Sequence, residues 1–275
     1  MKGLTDMLHY TQIIALFLFS VLMSVSDATA SDLEDIIEST FREAIVKVDV
    51  STNFPVFKDG SNICTSEGTG FLIGSLHVAT AEHVFRIPAE CGDPVIVIKS
   101  RKYKAERLAK IVGFKDDVAV LGIDHPFPSG MCVLRIMPND VFDSKGIRYG
   151  IPGQLFDPSV IHVKLGPKDG EFSPLVVLTP TAAEAGESGG PVIYRFNVVG
   201  ILKAKHKTYT AYSFMISGSK LLSLMKDLNL NMSGKVCNPV DSNMSVTGGF
   251  GVMTNPPDLW KIYVEEGERK GKWEP

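Results

Sequence analysis

The sequence predicts an all-β protein, and three observations carry that prediction. Short apolar segments recur at close spacing, turn residues separate them, and little helical pattern lies between them. The first series has six segments, at 44–50, 69–73, 76–79, 95–99, 110–114 and 118–123. The second series also has six, at 146–149, 160–165, 175–179, 191–194, 198–203 and 209–216. Six short strands at such spacing favour a closed barrel.

Three further stretches complete the predicted organisation. Prolines and a glycine mark residues 125–141 as a linker between the two series, and apolar spacing predicts a closing helix at 220–228. We therefore expect an N-terminal β-barrel domain at 31–130 and a C-terminal barrel with its helix at 131–237. Residues 238–275 form a tail of unknown role.

Composition sets the broad class. The chain has 275 residues, of which 44% are hydrophobic and 21% charged, as expected for one or two globular domains with a sizeable core. The formal net charge of −3 argues against nucleic-acid binding. The histidines and cysteines do not stand at metal-ligand spacings, so we predict no metal and no cofactor.

The N-terminus has the pattern of a signal peptide. Lys2 precedes an apolar run at 13–23, and Ala28-Thr29-Ala30 supplies a small-x-small cleavage site. The alternative is an uncleaved anchor, but the run is shorter than the ~20 residues that a membrane span needs. We expect residues 1–30 to be removed, leaving a secreted or periplasmic protein with no stable membrane anchor.

Three short motifs carry the chemistry. Residues 186–191 read Gly-Glu-Ser-Gly-Gly-Pro, in which glycines allow a bent backbone that presents the Ser188 hydroxyl and gathers N–H groups for an oxyanion. Taken alone, this hexapeptide could also be a simple turn. Earlier in the chain, Thr-Ala-Glu-His ends at His83, and Asp116-Asp117 precedes Val-Ala-Val-Leu.

Together these motifs resemble those of the chymotrypsin-like (trypsin-fold) serine peptidases, in the bacterial secreted or HtrA-protease-domain-like form. The order His, Asp, Ser is that of this family and not that of subtilisins or α/β-hydrolases. The resemblance covers about residues 44–228. It implies two packed six-stranded antiparallel β-barrels with a C-terminal helix, and the tail is too short for a PDZ domain.

The resemblance also assigns roles. His83 would be general base and then general acid, Asp117 would orient its imidazole, and Ser188 would be the nucleophile. Asp116 is the rival to Asp117, which we prefer because it immediately precedes the strand. The N–H groups of Gly186 and Ser188 would form the oxyanion hole. The implied function is an exported serine endopeptidase that hydrolyses peptide bonds in protein or peptide substrates through an acyl-enzyme.

Two positions depart from the trypsin pattern. Glu187 stands where trypsin-like zymogens have an aspartate that pairs with a new N-terminus, and no Ile-Val-Gly-Gly start is present near residue 31 or 44, so activation by that route is not expected. The pocket floor would be Ala182, which gives no acidic selection for Arg or Lys. The opposite wall would be formed by Lys203, Ala204, Lys205 and His206. Its three cationic or titratable side chains would suit an acidic P1 residue, but the segment could equally be a solvated strand, and Ala182 also permits a small or apolar P1 residue.

Four cysteines in an exported chain favour disulfides. By resemblance, Cys64 would pair with Cys91 around the histidine loop, which leaves Cys132 for Cys237. The alternative is four reduced, buried thiols.

Two other functions remain open at this point. The chain could be a catalytically silent trypsin-fold binding protein, although an intact His83, Asp117, Ser188 and Gly186 set weighs against that. It could also be a protease of the viral polyprotein type, against which the cleavage site and cysteines argue. The natural substrate, the source and the oligomeric state are not predicted.

Overall fold

A computed structural model describes residues 39–102, 104–128, 131–137, 140–153, 155, 158–167, 175–179, 182–205 and 212–237. The predicted signal peptide at 1–30, His206 and the tail at 238–275 lie outside these residues. Within them, no helix is long and apolar enough to span a membrane.

The N-terminal half forms a closed antiparallel barrel with strand order β1-β4-β5-β8-β7-β6. A short hairpin, β2–β3, which the sequence pattern did not predict, is inserted after the first strand. The strands are β1 (Ile45–Ser51), β2 (Phe57–Lys58), β3 (Ser61–Asn62), β4 (Ser66–Gly74), β5 (His77–Ala81), β6 (Val95–Ser100), β7 (Ala105–Lys115) and β8 (Val118–Ile123).

The C-terminal half forms a second closed barrel, with order β10-β11-β14-β13-β12-β9. The fold class is therefore the predicted one, two six-stranded antiparallel barrels followed by a helix. The elements are β9 (Lys145–Gly150), β10 (Ser159–Leu165), β11 (Val176–Thr179), β12 (Pro191–Tyr194), β13 (Asn197–Lys205), β14 (Ser213–Ser217) and α1 (Gly218–Asp227).

Among the element boundaries that differ from the sequence prediction, two have a clear local cause. Strand β7 begins at Ala105 rather than 110, because its early residues pair with β6 from Ala105 opposite Ser100 onward. The early residues of this strand alternate in exposure but not in polarity, since Glu106 and Arg107 are adjacent, and this hides the start of the strand in the sequence. Helix α1 begins two residues early, where the Ser217 side chain accepts a hydrogen bond from the Ser219 N–H as an N-cap.

The helix links the two halves. Leu221, Leu224 and Met225 are buried on one face of α1. Just beyond its end, Leu228 packs so closely over β7 that a Cβ on Gly113 would lie 2.7 Å from the leucine side chain. The C-terminal helix therefore closes the second barrel and covers the first.

The predicted linker runs between the barrels and bonds to both. Leu134 N–H donates to Leu72 O of the first barrel at 2.8 Å, and Val198 N–H of the second donates to Arg135 O at 2.8 Å. Cys132 in this segment is bonded to Cys237, and Cys64 to Cys91, so the structure contains both expected disulfides. The linker is therefore hydrogen-bonded to one strand of each barrel, whereas the Cys64–Cys91 bond lies within the first half.

Candidate active site

His83 lies in a short 3-10 turn, Glu82–Val84, immediately after β5. The turn is held against the β7–β8 connection by its backbone: Glu82 N–H donates to Asp117 O at 3.0 Å, and His83 N–H donates to Asp117 Oδ1 at 3.0 Å. The imidazole Nδ1 lies 3.0 and 3.1 Å from the two carboxylate oxygens of Asp117. Nδ1–H as the donor leaves Nε2 as a free base, the tautomer that proton abstraction requires.

The two neighbouring aspartates occupy a two-residue hairpin turn. Both have positive φ, 54° for Asp116 and 64° for Asp117, as a type I′ turn between β7 and β8 requires, and Asp tolerates that conformation. The turn directs the two carboxylates apart. Asp117 contacts His83, whereas Asp116 Oδ2 contacts Lys220 Nζ at 2.9 Å.

The electrostatics of Asp117 follow from its contacts. Its side chain is 15% exposed, and burial alone raises its pKa. Hydrogen bonds and charge from His83, with a further hydrogen bond from Lys203, outweigh burial and lower the pKa of Asp117 to about 2. Asp117 is therefore a carboxylate at neutral pH.

The Ser188 loop depends on two glycines with positive φ. Gly186 has φ 91°, and a Cβ there would lie 2.6 Å from Gly153 N. Gly189 has φ 92°, and a Cβ there would lie 2.1 Å from Thr69 O of the first barrel. No side chain fits at either position. Among the described residues, the N–H groups of Gly186 and Ser188 have no acceptor, so both are available to an incoming oxyanion.

Thr69 of β4 joins this loop to the first barrel. Its N–H donates to Ser188 O at 2.8 Å, and its hydroxyl donates to Gly186 O at 2.8 Å. The same hydroxyl accepts from Ile151 N–H at 2.8 Å. Sequence reasoning missed Thr69. The signal for it was a buried polar residue between two glycines, Gly68 and Gly70, at which a Cβ would clash with neighbouring valines.

Ser188 itself is not bonded to the imidazole. Its Oγ donates to Lys203 O at 2.8 Å, and no hydrogen bond joins Ser188 and His83, both of which the structure describes. The His83–Asp117 pair is formed as predicted, whereas the predicted contact between Ser188 and His83 is absent. Catalytic hydrogen bonds are often loose without substrate and tighten on binding.

The predicted specificity residues have unequal outcomes. Lys203, expected in the pocket wall, extends its ammonium to Asp117 Oδ2 at 3.1 Å. Ala182, expected at the pocket floor, uses its carbonyl to accept a hydrogen bond from Arg148 Nη2 at 2.9 Å. Ala204 and Lys205 belong to β13, and their side chains lie outside the described part. The preference for an acidic P1 residue stays a prediction.

A buried ion pair fixes the residue before the serine. Glu187 Oε2 lies 3.3 Å from Arg148 Nη2, with side chains 2% and 1% exposed, and it also accepts from Glu184 N–H at 2.7 Å. Glu187 Oε1 accepts from Ser159 Oγ at 2.5 Å. Burial lowers the pKa of Arg148, and Glu187 and Glu184 oppose that effect. Sequence reasoning missed Arg148, although a lone cation in the apolar segment 146–149 was a visible signal.

The described residues contain no group of three or more His, Cys, Asp or Glu side chains that could hold a metal ion. The first barrel presents an imidazole bonded to a carboxylate, and the second presents a serine loop in which two N–H groups have no acceptor among the described residues. That set is suited to acyl transfer, in which a serine attacks a carbonyl and the N–H groups bind the resulting oxyanion.

Comparison with known proteins supports the fold. No family model and no curated protein matches the chain. Among solved structures, the active form of the Rv3671c protease from M. tuberculosis is 19% identical with a TM-score of 0.55, covering 73% of this chain and 88% of that one. The serine endoprotease from Yersinia pestis is 18% identical with a TM-score of 0.55, covering 71% and 66%. The HtrA-type protease AlgW, solved with a tripeptide, is 18% identical with a TM-score of 0.56, covering 71% and 63%.

These neighbours and the two closed barrels define a trypsin-like fold, the fold of the HtrA-type serine protease domains. The chain spans a little under two thirds of the length of the Yersinia and AlgW proteins.

Proposed function

We propose that this chain is a serine endopeptidase with Ser188 as nucleophile, His83 as general base and Asp117 as its partner. The observation that carries the proposal is the hydrogen-bonded His83–Asp117 pair on one barrel, beside a glycine-framed serine loop with two free N–H groups on the other. The protease neighbours support it at the level of fold.

In the proposed reaction, the Ser188 hydroxyl turns from Lys203 O towards His83 Nε2, which takes its proton as Oγ attacks the scissile carbonyl. The N–H groups of Gly186 and Ser188 bind the oxyanion. The imidazolium, stabilised by Asp117, then protonates the leaving amine, and an acyl-enzyme remains. Water, deprotonated by the same imidazole, releases the acid product and restores the serine.

Substrates are proposed to be proteins or peptides, in keeping with the tripeptide in the AlgW structure. Export to the cell exterior or the periplasm is proposed from the N-terminal pattern, and two disulfides are suited to an oxidising compartment. N-terminal sequencing of the exported protein should begin at Ser31. A start at Met1 would contradict cleavage.

The test is labelling with a fluorophosphonate probe, which reacts only with an activated serine. The full chain should be labelled between about pH 6 and 9, and Ser188→Ala should abolish the signal. Ser61→Ala, on the exposed β2–β3 hairpin, is the matched control and should be labelled like the parent. Absence of labelling in folded protein across this range would contradict the proposal.

One observation favours a second candidate, a catalytically silent binding protein. The Ser188 hydroxyl is bonded to a backbone carbonyl rather than to the imidazole. Such a protein would bind peptides at the seam without cleaving them. Peptide binding by calorimetry, together with no probe labelling, would favour this alternative.

A further inference from the structure

Lys203 is the residue at which the β13–β14 ladder is interrupted. The pairing runs Leu202 with Met215 and then Ala204 with Phe214, so Lys203 has no partner and forms a β-bulge. Bulges redirect a side chain from the regular alternation of a strand. Here the bulge directs Lys203 across the seam, towards the first barrel.

The bulged residue contacts both ends of the candidate site. Its carbonyl accepts the Ser188 hydroxyl at 2.8 Å. Its ammonium lies 3.1 Å from Asp117 Oδ2. His83 Nδ1 lies 3.0 Å from Oδ1 and 3.1 Å from Oδ2 of the same carboxylate. Asp117 thus has two cationic or potentially cationic partners, one from each barrel.

We propose that Lys203 is a positioning residue whose ammonium, bound to Asp117, opposes protonation of His83 and so extends activity to lower pH. The proposal rests on the proposed peptidase function. Its physical basis is that the carboxylate favours an imidazolium, and a second positive charge on the same carboxylate offsets that preference. The lowered pKa of Asp117, to which the Lys203 hydrogen bond contributes, accords with this arrangement.

Most of the described charged groups on the elements near His83 are paired with other residues. In its own turn, buried Glu82 accepts from Arg86 Nε at 2.9 Å. On the β7–β8 side, Asp116 is paired with Lys220 of α1 and Lys115 with Asp227, each at 2.9 Å.

In the serine loop, the charged residues near the site are Glu187, which is paired with Arg148, and Glu184, which is exposed. Among the described residues, Lys203 is the cation that shares the Asp117 carboxylate with His83, so its removal should affect the imidazole most directly.

The experiment measures the rate of fluorophosphonate labelling against pH for the parent, Lys203→Met and Lys203→Arg. In Lys203→Met, the acidic limb, which is the fall in labelling rate towards low pH, should move to higher pH by on the order of half a pH unit or more. Lys203→Arg should keep the limb near its parental position. The matched control is Lys220→Met, which removes an ammonium from the adjacent aspartate and should leave the limb in place.

A second measurement does not require an active serine. The imidazole signals of His83 are followed by NMR against pH in Ser188→Ala, with and without Lys203→Met. The substitution should again move the transition to higher pH, which separates failure of this proposal from failure of the peptidase proposal. Lys203 is about one third exposed, and circular dichroism checks that the variants fold; Lys203→Gln replaces Lys203→Met if that variant does not. Coincident transitions with and without Lys203 would overturn the proposal.

Discussion

The hydroxyl of Thr69 in the first barrel donates a hydrogen bond of 2.8 Å to the carbonyl of Gly186 in the second. Through this contact, the barrel that carries His83 also holds the loop that carries Ser188. The Thr69 N–H adds a bond to Ser188 O. The geometry of the candidate oxyanion hole is therefore set across the seam and not only within its own loop.

Thr69→Val should loosen that loop. The valine keeps the shape of threonine but leaves Gly186 O and Ile151 N–H unpaired in a buried region, at a cost of about 1–3 kcal/mol each. We expect a lower urea midpoint and slower fluorophosphonate labelling of Ser188. Thr69→Ser retains the hydroxyl and should label at close to the parental rate, and equal rates for serine and valine would show that the bond is unimportant.

The Arg148–Glu187 pair should be far more sensitive to removal of one partner than of both. Arg148→Met leaves the Glu187 carboxylate buried and 2% exposed with one fewer cation, which we expect to cost about 3–5 kcal/mol of unfolding free energy. The double variant Arg148→Met with Glu187→Leu should recover part of that loss. Denaturant unfolding of the single and double variants measures the coupling, and additive losses would contradict it.

Acid should weaken the fold partly through Asp117. Its folded-state pKa of about 2 lies below the ordinary 3.8, so its contribution is complete above about pH 4 and is lost as the pH falls through 2. After allowance for solvent screening, we expect roughly 1–2 kcal/mol. Asp117→Asn should flatten the dependence of unfolding free energy on pH between 2 and 4. The control is Asp59→Asn, in the exposed β2–β3 turn, and an unchanged slope in Asp117→Asn would refute the assignment.

Loss of the Cys64–Cys91 bond should loosen the segment around His83. The bridge closes a loop of 27 residues that contains the imidazole and its 3-10 turn. Removal of a disulfide that closes a loop of this size typically lowers the free energy of unfolding by about 2–4 kcal/mol. The double variant Cys64→Ser with Cys91→Ser should lower the melting temperature and speed amide exchange at residues 82–84. Exchange that is slowed or unaltered there would contradict the expected local effect.

The elements that sequence reasoning identified are those with a local signal. Each barrel strand was marked by apolar residues bounded by turns, and His83, Asp117 and Ser188 each stood in a short motif. The preference for Asp117 over Asp116 agrees with the geometry because a two-residue turn directs its two side chains apart. The disulfide pairings followed from resemblance and not from spacing.

The missed features depend on contacts between distant segments. Thr69 contacts a loop in the other barrel, and Arg148 meets Glu187 only once the second barrel has closed. Lys203 was assigned to a pocket wall by resemblance, and the bulge that accompanies its contact with Asp117 has no signal in the local sequence. In the sequence, the local signs of the Thr69 and Arg148 contacts are a threonine flanked by glycines and a lone cation within an apolar segment.

The Arg148–Glu187 pair has one more consequence. In trypsin-like zymogens, a new N-terminus pairs with the acidic residue before the nucleophile. Here Glu187 at that position pairs instead with Arg148, a side chain of strand β9 in the same barrel. Under the proposed function, completing the second barrel would itself switch the protein on. A newly made chain would be inactive until it folds, and the time and place of folding would then determine where its activity begins.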